Sequence, residues 1–97
     1  MWTVDTWRVR PGREDHFLSH CRALAPDPLI LYRDLEETEL YWSPAKWESL
    51  DQLKEWRSSA HYGAAARSVE ADVSDQQTHV MGDVPGFHPH AAGGAAS

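Results

Sequence analysis

Three side chains in this sequence could share one small-molecule chemistry. Trp56 and Tyr62 stand on either side of a Ser58-Ser59 pair, and Asp5 sits in the middle of an alternating segment near the N-terminus. An indole ring can stack on a planar substrate. A tyrosine hydroxyl can donate a hydrogen bond to a substrate oxygen. A carboxylate on a strand face that also carries Trp7 and Val9 is costly unless it is paired, protonated, or used as a base or orienting acceptor. Each has a plainer reading. Trp56 could simply fill the core, Tyr62 reach water, and Asp5 pair with an arginine or sit at a wet strand end. Trp47, His61 and His79 are further candidates for lining a binding site. The two histidines qualify because imidazole titrates near neutral pH.

Other reactive residue types carry weaker patterns. His16 and His20 have the i, i+4 spacing that can hold a metal. No third ligand is evident, and Cys21 points about 100° away from His20. The pair therefore reads as surface histidines, and no metal site is expected. His88-Pro89-His90 lies in a C-terminal tail and is no stronger. The single cysteine cannot form an internal disulfide, and its place on an apolar stripe suits a buried, inert thiol. Glycine-rich phosphate-binding motifs and the G-x-S-x-G pattern are absent, which removes nucleotide binding and the commonest hydrolase arrangement.

The elements that must position these candidates follow from periodicity. Residues 2–10 alternate, with Asp5, Trp7 and Val9 on one face and Trp2, Val4, Thr6 and Arg8 on the other, so they predict a strand. Pro11-Gly12 ends it. From Arg13 to Ala25 the period becomes helical, with Phe17, Cys21 and Leu24 on the apolar stripe and Glu14 and Asp15 in the first turn. Pro26-Asp27-Pro28 closes that helix. Leu29–Leu35 predicts a second strand, Glu36-Glu37-Thr38 a hairpin connector, and Leu40–Trp47 a third strand. Pro44 suits an edge position or a bulge. Ser49 with Gln52 reads as a capping box opening a helix over 49–73. Leu50, Leu53 and Trp56 form one stripe of it. Tyr62, Ala65, Ala66, Val69 and Val73 form another, roughly opposite the first at about 100° per residue. A straight helix could bury only one stripe, so a break at Ser58-Ser59 is expected, with Ser59 capping the second half. The elbow would leave Trp56, His61 and Tyr62 beside a pocket. Ser74-Asp75 is expected to turn the chain into a fourth strand over Gln77–Val84. From Pro85 onward periodicity is lost.

The order β-α-β-β-α-β predicts an α+β, ferredoxin-like fold: one domain over residues 1–84, with a low-complexity tail over 85–97. Its four-stranded antiparallel sheet would carry both helices on one face. The other face, with Trp2 and Val4, would lie bare, and a homodimer packing sheet against sheet would cover it. A chain of 97 residues has room for one modest core. A formal charge of −6 argues against nucleic acid and anionic membrane as partners. No apolar run reaches membrane-span length. The segment Met1–Arg10 has neither the basic start nor the apolar stretch of a signal peptide, so a cytoplasmic location is expected. Five tryptophans are a heavy aromatic load, suited to a core, a subunit interface or an aromatic-lined cavity.

With these elements in place the chain resembles the antibiotic biosynthesis monooxygenase-like proteins, dimeric α+β barrels of ferredoxin-like topology. The resemblance runs from about Trp2 to Val84. It rests on V-R-P-G-R-E-D-H-F after the first strand, L-Y-R-D-L in the second, and W-E-S-L-D-Q-L-K-E-W-R-S-S-A-H-Y through the broken helix. Some members oxidise aromatic polyketide intermediates with dioxygen and neither metal nor organic cofactor, others degrade haem, and fold does not select among them. The haem-degrading branch is similar at Trp56, but its ligating histidine falls on Ala66 and its first-strand asparagine on Asp5. The quinone-forming oxygenases are similar in pairing Trp56 with Tyr62. The resemblance thus implies a cofactor-independent monooxygenase acting on a small aromatic or polyketide-like compound, with Trp56, Tyr62 and Asp5 as catalytic candidates. A non-catalytic small-molecule-binding or assembly protein on the same barrel is the alternative.

Overall fold

A computed structural model describes residues 1–22 and 29–87. The chain runs β1 (Trp2–Val9), α1 (Glu14–Cys21), β2 (Tyr32–Arg33), β3 (Leu40–Lys46), α2 (Leu50–Arg57), α3 (Ala60–Glu70) and β4 (Val73–Met81). The strands form one sheet in the order β2-β3-β1-β4, with every neighbouring pair antiparallel. This is the expected ferredoxin-like α+β architecture.

The period of two in β1 decides what is buried. Trp7 and Val9 point to the helices and join Phe17 and Cys21 of α1, Tyr41 of β3, Ala65 and Val69 of α3, and Val73 of β4 in one core. Phe17 is fully buried and packs between Trp7 and Tyr41, at ring-centroid distances of 5.7 and 5.3 Å. Gly12 ends the turn after β1 at φ 81°, a left-handed conformation that favours glycine. The opposite sheet face carries Trp2, Tyr32, Trp42 and Met81, which are 42%, 60%, 39% and 42% exposed. The register pairs Trp2 with Met81 and Tyr32 with Trp42, so the four lie on one face as two pairs, with Val4 and Pro44 between them.

Helices α2 and α3 are separate. Ser49 Oγ accepts from Gln52 N at 3.1 Å, while the Gln52 side chain reaches back to Glu48 N at 2.7 Å, a variant of the capping box. Ser59 N donates to Trp56 O at 3.0 Å, which tightens the last turn of α2, and Ser59 Oγ caps α3 by accepting from Tyr62 N at 3.1 Å. The second apolar stripe divides at its end. α3 stops at Glu70, and Val73, expected on the helix, opens β4 instead.

Several expected boundaries are corrected. The second strand keeps only two residues. Asp34 Oδ1 accepts from Glu36 N and Glu37 N at 2.9 and 2.8 Å, curling the chain into the hairpin loop, and Leu35 is left 90% exposed. Pro44 is tolerated because, among the described residues, β2 pairs only with Tyr41 and Trp42, which leaves the β2-side edge of β3 without a strand partner at Pro44. The turn before β4 falls at Ala71-Asp72, not Ser74-Asp75. A register shift at Arg8/Val9 lets Val73 pair with Val9, which extends β4 backward past both polar residues, and β4 ends at Met81. Leu24, Ala25 and Pro26-Asp27-Pro28, assigned to the end of the first helix, lie outside the described residues, as does His88-Pro89-His90. Among the described residues no helix is long and apolar enough to cross a membrane.

Candidate active site

Asp5 and Tyr62 reach one cavity from opposite walls. Asp5 projects from the middle of β1 toward the helices. Tyr62 comes from the first turn of α3, where the Ser59 cap fixes its backbone. Trp7, Ala66, Val69 and Val73 supply apolar walls, and Glu70 and Gln76 complete the lining of a cavity of about 120 Å³. An apolar cavity of ~150 Å³ accepts a benzene ring. This one is somewhat smaller and more polar, on the scale of a single small ring.

Asp5 also borders a narrower crevice of about 10 Å³, formed with Thr3, Ser43, Trp47, Leu53, Trp56, Arg57 and Tyr62. Asp5 and Tyr62 are thus the partition between the cavity and this crevice. The Trp56 ring stands 5.9 Å from that of Tyr62, edge to face.

Electrostatics set the two polar groups apart from ordinary ones. Burial pushes the Asp5 carboxyl above its usual range, although a hydrogen bond donated by Thr78 Oγ1 and the charge of Arg57 pull the other way. Burial also raises the Tyr62 phenol, and the charge of Asp5 adds to this, while Arg57 opposes both. The pair can therefore exchange a proton with a bound hydroxyl. Asp5 is a stronger base than an exposed carboxylate, and Tyr62 remains a hydrogen-bond donor. The Cys21 thiol is buried and pushed up to about 12, chiefly by burial and then by Asp5, which makes it a poor nucleophile.

The structure brings together some of the expected residues and separates others. Asp5 and Tyr62 share the cavity, and Trp56 and Trp47 lie on the crevice side. Trp47 is buried, and its Nε1 donates to Thr3 Oγ1 at 2.9 Å, so it braces β1. His61 is exposed, its ring 5.7 Å from Trp56, and lines neither space. His79 pairs with Val4 in the β1–β4 register and so points to the open sheet face, away from Asp5. Sequence reasoning missed Arg57, Thr78, Glu70 and Gln76. Thr78 and Gln76 reach the site only because β4 pairs Asp5 with Thr78 and Trp7 with Gln76, a register no local pattern encodes. Arg57 adjoins Trp56 at the end of α2, and its direction depends on the elbow.

The antibiotic biosynthesis monooxygenase family model matches residues 3–68. A comparison with curated proteins finds no significant match. Among solved structures, one described as an antibiotic biosynthesis monooxygenase is 17% identical, with a TM-score of 0.75 over 87% of this chain and 98% of the other. A provisionally named antibiotic biosynthesis monooxygenase from Caulobacter crescentus CB15 is 19% identical, with a TM-score of 0.73 over 86% of this chain and 88% of the other. PA3566 from Pseudomonas aeruginosa is 16% identical, with a TM-score of 0.72 over 86% and 92%. At these identities the likeness speaks for the fold alone, whereas the family match spans most of β1 to α3 and includes Asp5, Trp56 and Tyr62. The chain belongs to the antibiotic biosynthesis monooxygenase family.

Proposed function

We propose that the chain is a cofactor-independent monooxygenase that oxidises a small electron-rich phenol or polyketide-like aromatic held in the cavity between β1 and α3. The observation that carries this reading is the convergence of Asp5, raised by burial, and the Tyr62 hydroxyl on a space scaled to a single small ring. Ground-state dioxygen reacts slowly with closed-shell molecules, and a phenolate overcomes this by giving up one electron. Asp5 takes the phenolic proton. The phenolate passes an electron to dioxygen, and the resulting superoxide and phenoxyl radical join through a carbon–oxygen bond. The proton returns to the peroxide through Asp5 or Tyr62. Loss of water from the hydroperoxide, with the ring hydrogen, leaves a carbonyl. One oxygen atom enters the product and the other leaves as water. The protein supplies the base, the orientation and the exclusion of bulk water.

The same reading includes a homodimer, because the Trp2, Tyr32, Trp42 and Met81 surface is an apolar sheet face of the kind monomers rarely leave open. Oxygen uptake with a panel of hydroquinones tests the activity. Consumption that saturates with substrate and requires folded protein supports it. Saturable binding of the same compounds without oxygen uptake would instead assign a binding protein on this barrel.

A further inference from the structure

We infer that His16, His20 and Asp72, none of which lines the proposed active cavity, form a binding site for one zinc-like divalent cation. One donor atom from each of the three residues can be chosen so that all lie within 4.8 Å of one another. The two histidines come from successive turns of α1, and their rings stand edge to face with centroids 4.4 Å apart. Asp72 comes from the turn between α3 and β4, so the third donor arrives from another part of the fold.

Two features distinguish this cluster from a surface ion pair. Asp72 has no exposed surface, yet it carries a carboxylate. His20 Nδ1 is buried and has no hydrogen-bond partner among the described residues, although it lies 3.8 Å from Asp72 Oδ2. An orphaned buried nitrogen beside a carboxylate oxygen is what a missing shared cation would satisfy. His16 Nδ1 lies 2.9 Å from Asp72 Oδ1 and 3.1 Å from Oδ2, so one proton serves both oxygens poorly. In a tetrahedral site with bonds of roughly 2.0–2.1 Å, donor atoms stand about 3.3 Å apart. The observed His16–Asp72 and His20–Asp72 separations bracket that value.

The donor set selects the ion. Two imidazoles and one carboxylate suit zinc and its neighbours, whereas calcium and magnesium demand oxygen ligands. Arg13 donates to Asp72 Oδ1 from Nε at 3.0 Å and lies 2.8 Å away through Nη2, which also stands 3.5 Å from His16 Nδ1, while Oδ2 faces both imidazoles at 3.1 and 3.8 Å. This orients the carboxylate as an outer-shell partner would. The histidine side chains are 51% and 36% exposed, so water can take the fourth position. Bound there, the ion would fasten α1 to the α3–β4 turn, two residues from the cavity wall at glutamate 70 and one from Val73.

The test is titration of the metal-stripped full chain with cobalt(II), followed by displacement with zinc. The expected result is one cobalt per chain with the visible absorption of a four-coordinate ion, and a rise in Tm with added zinc. His16→Ala and His20→Ala should each weaken binding at least tenfold. Both replace partly exposed side chains, so circular dichroism should show a native fold, and His16→Gln serves if His16→Ala does not fold. The tail variant His88→Ala/His90→Ala should bind as the parent does. Absence of saturable binding, or binding that survives His16→Ala/His20→Ala and is lost with the tail variant, would overturn the site. None of these outcomes depends on oxygenase activity.

Discussion

Asp5 is held against two opposing demands. Burial favours its neutral form, while the proposed reaction needs its charged form as a base. A carboxyl whose folded pKa is raised contributes stability that is complete below its ordinary value of 3.8 and lost as pH rises through the raised folded value. Asp5→Asn should therefore raise Tm near neutral pH and change it little near pH 3. It should also lower kcat by about 10²-fold or more, the usual contribution of a positioned base. Tyr62→Phe keeps the ring and removes the donor, so kcat should fall while the Tm stays close to the parent's. Asp72 runs the other way. Burial pushes its carboxyl up, but the hydrogen bonds and charges of His16 and Arg13 outweigh that and hold it below its ordinary value of 3.8. Its contribution is present above that value and lost as pH falls through the lower folded one. Asp72→Asn should thus cost stability at neutral pH and progressively less in strong acid, as thermal melts across pH would show.

At the scale of elements the elbow between α2 and α3 matters most. Ser49 and Ser59 both cap a helix, and replacing either with alanine should cost about 1 kcal/mol. Only Ser59 accepts the Tyr62 backbone N–H. Ser59→Ala should therefore lower kcat/KM, while Ser49→Ala, matched in stability cost, should leave it near the parent value. The elbow was readable in advance because two apolar stripes out of phase cannot both reach one sheet, and the serine between them names the cap. The Trp56–Tyr62 pair was readable for the same reason. β2 was not: Leu29, Ile30 and Leu31 look like strand residues yet precede it, and only the Asp34 turn shows how soon the chain leaves the sheet after Arg33. His79 was a candidate for its imidazole alone, and its face depends on strand pairing. The β1–β4 register sends it to the far face and brings Thr78 to the carboxylate. Asp72 was invisible as a partner of His16 and His20 because a contact across 56 residues leaves no local pattern.

For the whole molecule the open sheet face sets the expected assembly. Four large apolar side chains at 39–60% exposure on one sheet face favour a second copy of the same face, closed by a two-fold axis. Sedimentation at micromolar concentration should show about twice the 11.0 kDa chain mass. Trp42→Glu with Trp2→Glu should yield a monomer that is less stable but folded, since neither side chain belongs to the core under the helices. Haem should not bind tightly. Ala66 lines the cavity with a methyl group and offers no ligand atom, so titration should give no sharp, saturable Soret shift.

In the proposed reaction the cavity holding Asp5 and Tyr62 inserts oxygen into an aromatic ring without a cofactor. The most direct measurement is turnover of the hydroquinone panel by metal-stripped protein under isotope-labelled dioxygen, with products read by mass spectrometry. One labelled oxygen atom per product molecule is expected, with the signal strongly reduced in Asp5→Asn and Tyr62→Phe. Product without label, label that persists undiminished in both variants, or turnover that appears only after a metal or flavin is restored would contradict it.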